Sequence, residues 1–517
     1  MKIVYKSIFI ILILSVNIYA VIIDVQDYGA EVNDDIDDYY AIQRAIEALD
    51  QTKSGKLVFH KGVYDIHQHK IDNNRAVQRT VSRIDKSKTR NTKFKKISKI
   101  IYLNEVDKKI KYKSKNIIRN FTFKNYTDLT IEGNGAILNF DGDWTRTADY
   151  TLSNSNYIYS RHNAIGIEVI NSKNVLIRNI ELNGGADKTI KIANTEGFSD
   201  GIMIGGSSLV TINNVYVHHY HADGLYLYAT KNTGKVIKSE HISILNSRFK
   251  NNARQGCSIA GGRNIHFYNC SFSNTGNTGT YGGHYPKAGV DIEPHHDVKD
   301  NGNITFHSCN FDNNLGFAYV GSNAITTPYP IKFRYCTFSN RYHNHKYAAV
   351  VPSSKKTEFT YCFFNEISMW PNYGTKDKNG HVEVNVYNSK FKSKQIAQIV
   401  LLAIGNGNLR WNIKDSLFQL NSSANAGNTK HKFYISNNKK VLFQKNTIEM
   451  SQQEYQTYRN KPHVKFILRN TVIYGNRWRL KLPTTPIKRD NVSSSPYGII
   501  YNTNGIIILN KIGSSKL

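Results

Sequence analysis

Cysteine is scarce in this chain, 5 in 517 residues, which excludes a disulfide-stapled scaffold. Acidic residues are also few, 39 against 68 Lys and Arg. The formal charge of +29 therefore favours anionic partners: nucleic acid, acidic lipid surfaces or acidic polysaccharides. Past the N-terminus no apolar run approaches the roughly 18 residues that a membrane-spanning helix needs. What is present is a large apolar stock. At 40% hydrophobic and 12% aromatic residues the chain can bury a substantial core, so wholesale disorder is excluded. Length alone suggests about three domains, a prior that fails for repeat arrays, so periodicity has to decide.

Lys2 and Lys6 precede an apolar run at 8–16, and the small Ala20 closes a polar stretch that starts at Asn17. This order of charge, apolar run and small residue predicts a signal peptide at 1–20, hence a secreted or periplasmic protein without stable membrane insertion after cleavage. No Cys follows the run, which argues against a lipid anchor. Export removes nucleic acid as a partner and leaves acidic polysaccharide in front.

In the stretch 37–50, Tyr40, Ile42, Ala45, Ile46 and Leu49 recur at helical spacing. Everything after it has strand character. Four units share one frame: Phe267-x-x-Cys270-x-Phe272, Phe306-x-x-Cys309-x-Phe311, Phe333-x-x-Cys336-x-Phe338 and Phe359-x-x-Cys362-x-Phe364. Weaker copies have their anchors at Ile180, Val215, Ser247, Ser389, Ser416, Asn446 and Asn470, a mean period of about 29 residues, which signals a solenoid. Glycine-led strands precede many units: Asp200-Gly201-Ile202, Asp223-Gly224-Leu225, Gln255-Gly256-Cys257, Ala288-Gly289-Val290 and Leu315-Gly316-Phe317. Short strands joined by Gly and Asn turns fit an all-β fold, a right-handed parallel β-helix with a short N-terminal capping helix. Asn251, Asn274, Asn313 and Asn340, each four residues past an anchor, suit left-handed bends and coil-to-coil amide bonds. The expected organisation is signal peptide 1–20, cap and first strands 21–66, basic insertion 67–120, β-helix 121–500 and C-terminal cap 501–517.

Equivalent positions on neighbouring coils lie about 4.8 Å apart, so Cys270, Cys309, Cys336 and Cys362 should form an internal ladder. Buried free thiols are the expected state; the spacing also permits bridging, and a flat ladder is unsuited to tetrahedral metal binding. The 67–120 stretch holds 12 Lys and 5 Arg against 3 Asp and 1 Glu. It reads as a solvated insertion or as an electropositive flap that gathers an acidic polymer.

In the glycine-led strands Ile202, Leu225, Cys257, Val290 and Phe317 are expected inward, and Met203, Tyr226, Ser258, Asp291 and Ala318 outward, with Tyr228 and Glu293. Asp291 and Glu293, two apart on one face, form the sharpest candidate centre, because their separation suits an acid and a base around a water. His284 and His295 flank them as proton carriers, with Asp223 and Asp200 as further catalytic candidates. Tyr226, Lys287, His221 and Arg254 are the expected substrate contacts, and His218 and His219 stand near the same turn. No cofactor is required by this reading, although the carboxylates also offer oxygen ligands for Ca²⁺. For Asp200 and Asp223 simple turn chemistry is the competing explanation.

Val25-Gln26-Asp27-Tyr28-Gly29-Ala30, Asp37-Asp38 leading into Ala41-Ile42-Gln43-Arg44-Ala45-Ile46, and Leu57-Val58-Phe59-His60-Lys61-Gly62-Val63-Tyr64 resemble the N-terminal cap of pectate lyase-like β-helix proteins. The resemblance, spanning about 22–510 with the repeats, implies the β-helix and action on a polysaccharide. The strand order is also distantly similar to polygalacturonase-family glycoside hydrolases. Ser199-Asp200-Gly201 stands where that family has Asn-Thr-Asp-Gly, and Ala222-Asp223-Gly224 where it has paired Asp. Gln255-Gly256 replaces His-Gly, and Val290-Asp291-Ile292-Glu293 replaces Arg-Ile-Lys, so the family's inverting mechanism does not carry over intact. The expected function is cleavage of an acidic polysaccharide, leaning to β-elimination over hydrolysis. The alternative is a non-catalytic β-helix that binds glycans or builds a surface structure.

Overall fold

The helix Tyr39–Asp50 forms where the sequence spacing placed it and buries Ala41, Ile42, Ala45, Ile46 and Leu49. Tyr40 does not join that face and is exposed; Tyr39 instead lies against Phe121, 5.7 Å between centroids, fixing the helix over the first coil. Asp38 tightens the same junction. Its carboxylate accepts the backbone N–H of Glu31 and of Asp65, and burial pushes its pKa up to about 7.

The computed structural model describes residues 21–66, 77–84, 94–101, 121–140, 158–159, 165–188, 199–278, 283, 285–294, 298, 301–321, 329–340, 349–352, 355–369, 381–393, 399–401, 408–420, 433–435, 440–444, 447–450, 467–469, 472–475 and 478–481. The expected signal peptide and C-terminal cap lie outside them. Of the basic stretch, the strands Val77–Ile84 and Phe94–Ile101 pair antiparallel, with Ile158–Tyr159 as a third strand, in a small sheet of their own. No helix among the described residues is long and apolar enough to cross a membrane.

From Phe121 the chain winds as a parallel β-helix, until Trp478–Lys481, within the span expected to be β-helix, pairs antiparallel with Val472–Gly475. One wall is an eleven-stranded sheet that includes Ile167–Ile170, Ile202–Gly205, Asp223–Tyr228, Gln255–Ile259, Ala288–Ile292 and Phe317–Gly321. The other two walls belong to a 25-stranded sheet, bent within each coil. Its early strands, such as Lys173–Asn183 and Ser208–His218, run continuously through the bend, while later coils break there, as in Gly262–Tyr268 and Ser271–Ser273.

The bend has a local cause. Asn179, Asn214, Asn246, Asn269, Ser308, Asn388 and Asp415 each adopt the left-handed backbone immediately before an anchor residue. Short polar side chains tolerate that conformation, and the amides bond from coil to coil, Asn214 to Asn179 at 2.9 Å and Asn269 to Asn246 at 2.9 Å. A second left-handed set, Asn251, Asn274 and Asn313, closes the next bend; Asn340 is buried beside Asn314 and is not part of it.

The described anchors point inward; Asn446 and Asn470 lie outside the described residues. Cys270, Cys309, Cys336 and Cys362 are buried free thiols, and each donates to the carbonyl two residues back. Where Ser389 takes the place, its hydroxyl donates to Tyr387 O and accepts the Cys362 N–H at 3.0 Å, stapling one coil to the next. Phenylalanines stack on both sides of this ladder. Phe267, Phe306, Phe333 and Phe359 lie 4.6, 4.8 and 4.8 Å apart, nearly parallel; Phe311, Phe338, Phe364, Phe391 and Phe418 repeat the pattern. Burying one such ring is worth about 1.5–3 kcal/mol.

Glycine fixes the eleven-strand wall. A Cβ on Gly201, Gly224, Gly256 or Gly289 would stand 2.5 to 2.7 Å from a carbonyl oxygen of the following coil, too close for any side chain. Leu315-Gly316-Phe317 does not continue this row as its sequence suggested. The residue following Gly289 in the row is Ala318, so Val290 pairs with Tyr319 and Asp291 with Val320. Gly316 packs under the Pro286 carbonyl instead, and Phe317 and Val320 join Ala288 in a small apolar cluster apart from the main core. Phe317 is therefore not the inward partner of Val290, and Ala318 is not the outward neighbour of Asp291.

Candidate functional site on the eleven-strand wall

The residue before each glycine of the row meets the outward groups of its neighbours, Asp223 with Ser258 and Gln255 with Asp291. Asp200, Asp223 and Gln255 occupy that position on successive coils. The next outward row, in register, is Glu168, Met203, Tyr226, Ser258 and Asp291, with Tyr228 and Glu293 two residues further along their strands. The parallel register sets these groups side by side although Glu168 and Glu293, at the two ends, are 125 residues apart in sequence.

The Asp223 backbone N–H donates to Asp200 Oδ1 at 3.0 Å, holding the two carboxyl groups together. Ser258 Oγ donates to Asp223 Oδ2 at 2.6 Å, and Arg254 Nη1 approaches the same oxygen at 3.4 Å. The other end of that guanidinium reaches Glu293 Oε2 at 3.8 Å. Arg254 thus ties Asp223 to Glu293 across successive coils. Both aspartates are buried, and burial, reinforced by the charge of Asp223, pushes the Asp200 carboxyl up to about 8. One member of a buried acid pair is thereby kept protonated near neutrality.

Beside the pair lies a half-buried aromatic surface. Tyr226 and Tyr228 stack at 5.5 Å, 12° from parallel. Tyr228 OH donates to Glu168 Oε1 at 3.1 Å and Thr122 Oγ1 to Glu168 Oε2 at 3.2 Å, so Glu168 is held in place from two coils. Burial raises the pKa of both tyrosines, so they act as hydrogen-bond donors, not anions.

Asp291 and Glu293 sit on one strand end but serve different partners. Asp291 is buried and accepts from Gln255 Nε2 at 2.7 Å, whereas Glu293 is solvent-accessible and faces Arg254. His221 is buried in the turn before Asp223. Lys287 lies over Gly276, its pKa lowered by burial. His284 and His295 fall outside the described residues. His218 and His219 belong to the neighbouring wall, where their Nδ1 atoms stand 2.6 Å apart and His218 Nε2 faces Glu181 at 3.1 Å. Glu168 was missed in the sequence although Gly166-Ile167-Glu168 carries the glycine-led frame one coil before Asp200; Gln255 was read only as a replacement for His. Among the described residues, no three His, Cys, Asp or Glu side chains gather closely enough to hold a metal ion.

Several solved structures align with this chain. ORF18 of Geobacillus virus E2 aligns at 12% identity and TM-score 0.41 over 88% of this chain, which spans 62% of that protein's length. The A-module of the Azotobacter vinelandii mannuronan C-5 epimerase AlgE4 aligns at 13% identity and TM-score 0.40, covering 82% of this chain and 95% of the module. PfbA, a surface adhesin of Streptococcus pneumoniae, aligns at 14% identity and TM-score 0.45, covering 95% of this chain and all of that one. No curated protein matches the sequence significantly. The family described as right-handed β-helix region matches residues 86–293 and again 200–391, more than half the chain. With its coils, anchors and parallel walls in view, the protein belongs to the right-handed β-helix family.

Proposed function

We propose that the chain is an exported enzyme that cleaves the glycosidic bond of an acidic polysaccharide laid across the eleven-strand wall. The observation that carries this reading is the Asp200–Asp223 pair. Burying two carboxyl groups beside one guanidinium costs stability, and unequal protonation of such a pair is what acid–base chemistry at neutral pH requires. In this reading Asp200 donates its proton to the leaving oxygen. Asp223, oriented by Ser258 and Arg254, activates the attacking water. Tyr226 and Tyr228 seat a sugar ring, while Glu168 and Glu293 accept from its hydroxyls.

Elimination is the second reading, and Arg254 is the observation that favours it. A guanidinium free to exchange Glu293 for a uronate carboxylate would acidify the neighbouring C–H, with Asp223 as the base. Incubation with a panel of acidic polysaccharides tests both. New reducing ends without ultraviolet absorbance mark hydrolysis, and absorbance of an unsaturated uronate marks elimination. Neither signal with any acidic glycan, or activity that survives in both Asp200→Asn and Asp223→Asn, would exclude this centre.

A further inference from the structure

The left-handed residue before the anchor is Asn, Asp or Ser in most coils, but Tyr335 (φ 54°) and Tyr361 (φ 55°) hold it in two. Asn and Asp compensate that backbone with local bonds, whereas a tyrosine there is strained and gains nothing from the turn itself. The rings do not recover the cost by burial. Tyr335 and Tyr361 are 54% and 51% exposed, stacked 5.0 Å apart. His307 lies 5.3 Å from Tyr335, and Tyr268, 49% exposed, lies 5.0 Å from His307. Four rings on four consecutive coils, three of them exposed and His307 half-buried, therefore form one stripe.

The stripe follows the bend between the two strands that each of these coils gives to the 25-strand sheet. Its flanks are cationic. Arg334 is exposed and pairs in register with His307; Lys390 Nζ stands 6.0 Å from the Phe363 ring, just past Tyr361. The acidic neighbour in the same strands, Glu358, is held by Lys356 at 2.9 Å.

We propose that this stripe is a second glycan-binding surface, which holds an acidic polysaccharide strand parallel to the coil axis. Ring edges repeat at the coil step of about 4.8 Å, and the three tyrosine hydroxyls and the His307 imidazole offer each sugar both an apolar edge and a hydrogen-bond partner. Arg334 and Lys390 meet the carboxylates, which a neutral glycan would leave unused. The inference rests on the acidic-polysaccharide reading but needs no cleavage at Asp223.

Electrophoresis of the full chain through gels containing polygalacturonate, alginate or neutral dextran tests it. The double variant Tyr335→Asn/Tyr361→Asn installs the residue type that the other coils use. Its melting temperature should equal or exceed that of the parent, while retardation by the polyuronates weakens roughly tenfold, as loss of two ring contacts of this kind implies. Asp223→Asn should keep full retardation, so failure of the stripe and failure of the cleavage centre give different results. Unchanged retardation in the double variant, equal retardation by dextran, or a fall in melting temperature, which would make the rings structural struts, each overturns the proposal.

Discussion

Coils 200–293 and coils 302–418 use the same scaffold for opposite ends. In the later coils the repeat is strict: phenylalanine stacks on phenylalanine at 4.4 to 5.0 Å, and Cys or Ser staples each turn to the next. In the earlier coils the outward rows stop repeating. Aspartate follows aspartate, then glutamine; tyrosine follows methionine, then serine. A solenoid gains stability from each residue that copies its neighbour and chemistry from each that does not.

That contrast can be broken from either side. The largest effect is expected for Phe306→Ala, which removes a ring packed between Phe267 and Phe333. It should cost about 3–5 kcal/mol by denaturant unfolding while leaving the Asp200–Asp223 geometry intact. Asp223→Asn is the converse. Turnover should fall on the order of a hundredfold or more with near-parental melting, and a large loss of stability in its place would make the pair structural. Gly256→Ala strains the scaffold inside the earlier coils, because its methyl would meet the Gly289 carbonyl oxygen at 2.5 Å. A loss of about 1–3 kcal/mol is expected, measured by thermal unfolding.

Asp200 sharpens the comparison through pH. Its pKa is raised from 3.8 to about 8, so its contribution to stability is complete below the unfolded value and is lost as pH rises through the folded one. Asp200→Asn should therefore gain on the parent progressively between about pH 4 and pH 8, in melting temperatures taken across that window. A constant difference would show that burial does not hold the proton. The smallest effect is expected for Cys336→Ser, under about 1 kcal/mol, because Ser389 and Ser416 already fill the same anchor position with satisfied hydroxyls.

The capping helix, the Phe-x-x-Cys-x-Phe frame and three of the four expected asparagine bends, Asn340 excepted, were legible because each depends on residues close in sequence and repeats at a fixed period. The strand after Gly316 was misplaced by two residues. Its glycine looked like a member of the row, but which glycine enters the row depends on the carbonyl of a neighbouring coil, not on the local motif. The candidate carboxylates Asp291 and Glu293 could be named from their outward strand positions, and Asp200 and Asp223 from the Asp-Gly that leads their strands and the resemblance to polygalacturonases. Their partners could not, since Arg254 joins Asp223 to Glu293 and Gln255 takes Asp291 only once three coils are stacked.

Sequence by itself determined the architecture of this protein. Alternating apolar residues, interior anchors and left-handed turn residues each act within one coil, and stacking such coils leaves one way to bury them. Tertiary structure alone decided the chemistry of the outer wall. The protonation of Asp200 and the sharing of Arg254 follow from burial and from charges on neighbouring coils, quantities set by spatial neighbours that the order of residues along a single coil does not contain.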